Sequence, residues 1–194
     1  MKIVGIYGSP RKGGNTELLL GEFLRGCREA GAEVEDFFLR DLKITPCLEI
    51  YACKKDGNCP IDDDMKILYA RFAEADGLAI ASPIFFYAVS AQLKAMIDRC
   101  QAMWARKYIL HQTIAAGEKK RKGVFLAVGG SKGGKIFEGP LLTMKYFFDA
   151  LDVNFYRSLL FKEIDAKGDI LKHPTAMAEA FALGKEFAGD PPPG

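Results

Sequence analysis

The stretch Gly8 to Thr16, GSPRKGGNT, constrains this chain more than any other, because it follows the apolar run of Ile3, Val4 and Ile6 and precedes an amphipathic helical pattern. A strand that turns through Gly and Ser into a helix commits the backbone to a β-turn-α unit and leaves unpaired N–H groups at the turn. Those groups and the positive end of the helix dipole favour an anion such as phosphate. Ser9, Asn15 and Thr16 are side-chain donors there, and Arg11 adds a positive charge. An ATP-type loop, G-x-x-x-x-G-K-[ST], is excluded, since Gly14 stands where the lysine belongs and Asn15 where Ser or Thr belongs. The dinucleotide fingerprint G-x-G-x-x-G is absent as well.

The same alternation continues along the chain. Strands are expected at Lys2 to Tyr7, Glu33 to Leu39, Gly77 to Ser82, Gly123 to Val128 and Val153 to Leu160. Between and after them, helical periodicity runs from Asn15 to Ala30, from Asp62 onward, along Val89, Leu93, Met96, Ile97, Cys100 and Trp104, from Phe137 to Ala150 and from Pro174 to Ala188. The third strand is apolar throughout, as a strand covered on both faces must be. Five strands alternating with five helices imply parallel pairing and right-handed crossovers. The expected fold class is therefore α/β, a flavodoxin-like three-layer sandwich with a five-stranded parallel sheet in order 2-1-3-4-5. Its ligand should lie outside the carboxyl ends of strands 1, 3 and 4.

A chain of 194 residues, 49% apolar and 27% charged, can bury the core of one domain, expected over residues 1–189, with residues 190–194 (DPPPG) a frayed tail. The first strand begins at the N-terminus, and no apolar run approaches bilayer length, so a soluble cytoplasmic protein with no membrane partner is expected. A net charge of +2 gives no reason to expect a nucleic acid partner. The run Glu118 to Lys122, EKKRK, reads as a solvated linker or as a contact for nicotinamide phosphates. His111 and His173 lie near no motif, and no Ser-His-Asp set, zinc HExxH or carboxylate pair presents itself, which removes the hydrolase readings.

The loop motif [GS]-S-x-R-x-x-x-[NS]-T and the segment Ser82 to Arg99, SPIFFYAVSAQLKAMIDR, together resemble the NAD(P)H-dependent FMN reductases, including the iron-sulfur flavoproteins. The resemblance covers roughly residues 1 to 160 and implies FMN as the bound cofactor. Ser9, Arg11, Asn15 and Thr16 would then ring its phosphate, and Pro83, Ile84, Phe85, Phe86 and Ala88 would surround the isoalloxazine ring. Tyr87 and Ala88 replace the Gly-Ser often found in that family. Three consecutive aromatics, Phe85, Phe86 and Tyr87, cannot all enter one core, so some must face the crevice. Gly129 and Gly130, in GGSKGG, allow close backbone approach and are expected to border the ring from the other side.

The implied activity is hydride transfer from NAD(P)H through FMN to a small-molecule electron acceptor, in a homo-dimer or tetramer. The connection from Trp104 to Lys122 is long and apolar at Trp104, Tyr108, Ile109, Leu110 and Ile114, so it is expected to pack on another subunit. An FMN electron carrier, an iron-sulfur flavoprotein without NAD(P)H activity of its own, and a flavin-free nucleotide or regulatory module are the alternatives.

Five cysteines in a chain of this kind read as thiols or ligands rather than disulfides. The resemblance implies four of them as C-x2-C-x2-C-x4-7-C, one thiolate for each iron of a cubane cluster. Here Cys47, Cys53 and Cys59 match, but Ile50 stands at the second position, where hydrocarbon cannot ligate iron. No four-cysteine cluster is expected. A three-cysteine zinc or iron site completed from outside, and a loop without metal, both stay open. Cys27 and Cys100 fall on apolar helix faces and read as core.

Overall fold

A computed structural model describes residues 1–115 and 120–189. The elements in chain order are β1 (Lys2–Tyr7), α1 (Asn15–Glu29), β2 (Glu33–Phe38), the one-turn α2 (Cys53–Asp56), α3 (Met65–Glu74) and β3 (Gly77–Phe85). There follow β4 (Ala88–Val89), α4 (Ala91–Arg99), α5 (Gln101–Tyr108), β5 (Arg121–Val128), α6 (Glu138–Ala150), β6 (Val153–Phe161) and α7 (Ala176–Gly189). The sheet runs β2-β1-β3-β5-β6 with every neighbouring pair parallel, which is the expected order once the two-residue β4 is counted. β4 pairs antiparallel with the end of β3 and makes a short hairpin there.

The strands bury alternate side chains on opposite faces, as a period of two requires. Val4, Ile6, Leu78, Ile80, Phe125 and Ala127 face the layer of α3 to α6, while Ile3, Tyr7, Ala79, Ala81, Val124 and Leu126 face α1 and α7. Leu19, Leu20, Phe23, Leu24 and Cys27 of α1 and Met65, Leu68 and Phe72 of α3 are all buried, matching the helical periods. α1 and α7 cross at Gly26 and Gly184, where a Cβ on either would collide with the backbone of the other helix.

Four features differ from the sequence expectation. β3 runs three residues past Ser82 because Ile84 and Phe85 find antiparallel partners in Val89 and Ala88. The stripe expected to form one helix from Val89 is broken: Val89 belongs to β4, Ser90 caps α4, and the backbone at Cys100 (ψ 4°) separates α4 from α5. Ile114 is buried in the core rather than exposed, whereas Trp104, Tyr108 and Ile109 remain exposed.

The cationic run differs most. Residues 116–119, and the tail 190–194, lie outside the described residues, but Arg121 and Lys122 are strand residues and fully buried. Arg121 donates to the carbonyls of Phe72 and Leu151, so its charge meets the negative ends of α3 and α6 rather than solvent or a nicotinamide. Lys122 packs its ammonium over the rings of Tyr156 and Phe187. His173 is half-buried against Phe161, and its Nδ1 accepts from Ala176 N at 3.2 Å, so it fixes the entry to α7. No described helix is long and apolar enough to cross a membrane.

Candidate functional site

Three segments meet at the carboxyl ends of β1, β3 and β5. The first is the loop from Gly8 into α1. Gly8 N donates to Ala81 O at 2.8 Å, which ties the start of the loop to β3, and a Cβ on Gly8 would stand 2.7 Å from that same carbonyl. Ser9 Oγ accepts from Arg11 N at 3.1 Å and holds the turn. Gly13 takes a left-handed conformation (φ 64°), and Gly14 begins α1 with no side-chain cap, so the first-turn amides of α1 have no side chain to satisfy them. Glu17 accepts from Gly13 N at 3.1 Å and from Arg40 Nη1 at 2.5 Å, which neutralises its carboxylate away from those amides.

The second segment is the β3-β4 hairpin. Ser82 Oγ accepts from Ser90 N at 2.9 Å and donates to Pro83 O at 2.8 Å, and Ser90 Oγ donates to Gly8 O while accepting from Leu93 N at 3.2 Å. Two serines therefore lock the hairpin, the start of α4 and the first loop into one unit. At the tip, Phe86 (φ 48°) and Tyr87 (φ 61°) are both left-handed, the geometry of a two-residue type I′ turn that normally selects Asn or Gly. Phe86 is wholly exposed and Phe85 and Tyr87 are about half exposed, so the aromatic run faces outward, as three neighbours that cannot share a core require.

The third segment, residues 162–170 after β6, gave no sequence signal, since it contains neither a periodic pattern nor a motif. It closes the crevice from the far side. Ile164 N donates to Gly129 O at 3.2 Å, and Gly129 N donates to Phe161 O at 2.9 Å, which carries β5-β6 pairing past the strand ends. Asp165 stands beside Gly130, its Oδ1 3.1 Å from where a Cβ would be.

A crevice of about 170 Å³ is enclosed by these segments. Ser9, Arg11, Asn15, Thr16, Pro83, Ile84, Phe85 and Gly130 line it, and Ile164 and the carboxylate-bearing Asp165 form its far wall. Phe86, Ala88 and Gly129 do not: Phe86 and Ala88 are exposed at the hairpin tip, and Gly129 is occupied in the strand extension. Asn15 lines the crevice but spends its amide elsewhere, donating from Nδ2 to Ala166 O at 2.9 Å and accepting at Oδ1 from Gly168 N at 2.9 Å and Ile170 N at 3.3 Å. Ser9, Arg11, Thr16 and the α1 amides make up the donor set that remains, and it suits an oxyanion.

A second groove, of about 780 Å³, opens between the cysteine loop, α4, α5 and α6, with Cys47, Tyr51, Cys53, Trp104 and Tyr146 on its walls. Burial raises the Cys53 thiol above its ordinary range, and neighbouring Cys59 and Cys47 raise it further, so at neutral pH it stays protonated. Ile50 is exposed on the same loop. Among the described residues no group of three His, Cys, Asp or Glu side chains is placed to hold a metal. Burial pushes the Cys27 thiol up to about 12, and likewise raises that of Cys100, as inert core cysteines behave.

Known proteins agree with this architecture. The model of the NADPH-dependent FMN reductases matches residues 1–156. An iron-sulfur flavoprotein of Methanocaldococcus jannaschii is 40% identical over 69% of this chain and 65% of its own length. One from Methanosarcina thermophila is 38% identical over 69% of this chain and 66% of its own. The matched stretch thus spans just under two thirds of those curated relatives. A four-cysteine cluster does not fit the residues here, because Ile50 leaves Cys47, Cys53 and Cys59 one thiolate short. Among solved structures, an NAD(P)H:quinone oxidoreductase from Methanothermobacter marburgensis superposes with a TM-score of 0.71 at 20% identity, covering 96% of each chain, and shows the same fold. With the family model matched across both the phosphate-type loop and the aromatic hairpin, this chain belongs to the NADPH-dependent FMN reductase family.

Proposed function

We propose that the protein is an FMN-dependent NAD(P)H oxidoreductase of the flavin or quinone reductase type, with residues 1–189 working as one flavin-binding domain. The observation that carries this is the crevice in which Ser9, Thr16, the cation of Arg11 and the uncapped amides of α1 meet beneath an exposed aromatic hairpin. A volume of about 170 Å³ suits a phosphate and its ribityl chain rather than a whole flavin. The isoalloxazine ring would then lie beyond the crevice, against Phe85, Phe86 and Ala88 on one side and the Gly129–Gly130 turn on the other. Bound FMN would supply the hydride chemistry between a nicotinamide and a small-molecule acceptor.

The residues themselves have three tasks in this reading. Ser9, Arg11, Thr16 and the first-turn amides of α1 hold the phosphate. Pro83 and Ile84 keep water from the inner ring edge. The hairpin tip leaves the outer ring face open to a nicotinamide or an acceptor. No four-cysteine cluster takes part, because Ile50 replaces its fourth ligand.

Removing the donors tests the assignment. Arg11→Ala with Thr16→Ala should weaken FMN binding, each lost charge-assisted contact costing about 1.5–3 kcal/mol. NAD(P)H oxidation with a quinone should fall in parallel at limiting FMN. Unchanged FMN affinity in the double variant would refute the site. Wild-type protein that binds FMN but oxidises neither NADH nor NADPH with any acceptor would instead be an electron carrier.

A further inference from the structure

The segment after β6 lies beyond the matched family span, which ends at residue 156, yet it is bound to the phosphate-type loop by several hydrogen bonds. The side-chain amide of Asn15 makes all three of its hydrogen bonds to backbone groups of residues 166–170. Arg11 Nη1 approaches Asp165 O at 3.5 Å on the same edge. Asp169 closes the segment on itself, accepting from Ala166 N at 2.8 Å and pairing with Lys172 at 2.8 Å. The segment is thus a short loop with both ends and its middle pinned.

The consequence falls on Lys167. It is held between the two backbone groups that Asn15 binds, and its Nζ and Cε stand 3.4 Å from the position a Cβ would take on Gly13. Gly13 is the left-handed residue before the Gly14 N-cap of α1, so the ammonium stands beside the phosphate-type loop, just outside the side chains that line the crevice. Among the described residues neither Arg11 nor Lys167 pairs with a carboxylate. Two of the nearby acids are engaged, Glu17 by Arg40 and Asp169 by Lys172, while Asp165 lines the crevice on the Gly130 side. Two cations that pair with no carboxylate, on the loop side of a crevice whose far wall carries Asp165, fit a doubly charged phosphate monoester better than a singly charged diester or a neutral ligand.

We propose that Lys167, positioned by the Asn15 latch, is a second cation of the phosphate site and sets its preference for FMN over riboflavin and over flavins whose phosphate is esterified twice. This rests on the reading that the crevice binds the FMN phosphate. Asn15 then acts as a positioning residue and not as a phosphate donor. Its amide fixes the loop from which the lysine reaches, in place of the direct contact that the sequence motif implies.

Flavin fluorescence quenching gives the test without reference to activity. Lys167→Met should weaken FMN about fivefold, leave riboflavin unchanged, and flatten the salt dependence of FMN binding, since an exposed ion pair is worth little and is screened. Lys167→Arg should restore most of the affinity. Asn15→Ala should lower FMN affinity at least as much as Lys167→Met, and adding Lys167→Met to it should cost little more. Equal losses for FMN and riboflavin in the Lys167 variant, or no loss for FMN, would overturn the inference alone. Wild-type protein that binds no FMN would overturn both the inference and the reading beneath it.

Discussion

At the scale of single residues, the most consequential pairing outside the crevice is Arg99 with Asp63. Arg99 is buried at the end of α4, donating to both Asp63 oxygens at 2.6 and 3.2 Å and to Thr45 O at 2.7 Å. Burial works against the Asp63 carboxylate, but the guanidinium and the amides of Thr45 and Met65 more than offset it and hold the group below the ordinary carboxylate range. A folded value below the unfolded one, near 3.9, means that this stabilisation is complete above about pH 4 and is lost as pH falls through the folded value. Asp63→Asn should therefore cost about 3 kcal/mol at pH 7, because Arg99 is left buried without its counter-charge. The variant should also lose less further stability than the wild type between pH 5 and about pH 3, as followed by urea midpoints. An unchanged midpoint at pH 7 would mean that the pair contributes nothing. Neither residue stood out in the sequence: Arg99 closed a motif and Asp63 was one of three acids, and only the fold made them partners.

At the scale of elements, the β3-β4 hairpin combines legible and illegible parts. Its aromatic run and its place after the third strand could be read directly, while its turn type could not, because Phe86 and Tyr87 are poor residues for left-handed backbone. Such conformations cost on the order of 1–2 kcal/mol per residue and survive where the surroundings fix them. Here Ser82 and Ser90 fix the two arms, and β4 supplies the closing pairs. Phe86 is wholly exposed, so replacing it removes strain without removing packing. Phe86→Asn should accordingly raise stability by about 1 kcal/mol in thermal unfolding and weaken flavin binding through loss of the aromatic face. A lower melting temperature would show that the aromatic ring contributes more than the backbone strain takes away. The broken α4-α5 stripe has a comparable origin, since hydrophobic period is blind to a one-residue change of ψ at Cys100.

At the scale of the molecule, both faces of the sheet are covered, yet one outer surface stays apolar. Tyr51, Trp104 and Tyr146 are exposed on the walls of the groove between the cysteine loop and α6, and Leu48 and Ile50 on that loop and Leu142 on α6 are exposed as well. A monomer seldom leaves so many large apolar side chains in one neighbourhood. The connection from Trp104 was expected to meet another subunit, and the structure widens that candidate surface to α6 while withdrawing Ile114 into the core. Light scattering at micromolar concentration should give a dimer or tetramer, and Tyr146→Glu should shift it towards the monomer with the fold intact by circular dichroism. A monomeric wild type would refute the homo-oligomer expected from the sequence.

What the sequence determined by itself was whatever local chemistry and short periods encode. The parallel sheet followed from alternation, because parallel neighbours need crossovers, and those are right-handed. The crevice loop followed from Gly8 to Thr16, because its turn and donors are contiguous in the chain. Tertiary structure alone decided what depends on residues far apart. It turned the Asn15 amide from the crevice to residues 166–170, buried Arg121 against two helix ends, and brought Lys167 to Gly13 across more than a hundred and fifty positions. A side chain with several hydrogen-bond partners within reach takes the set that the packed backbone presents, and that set exists only after the chain has folded.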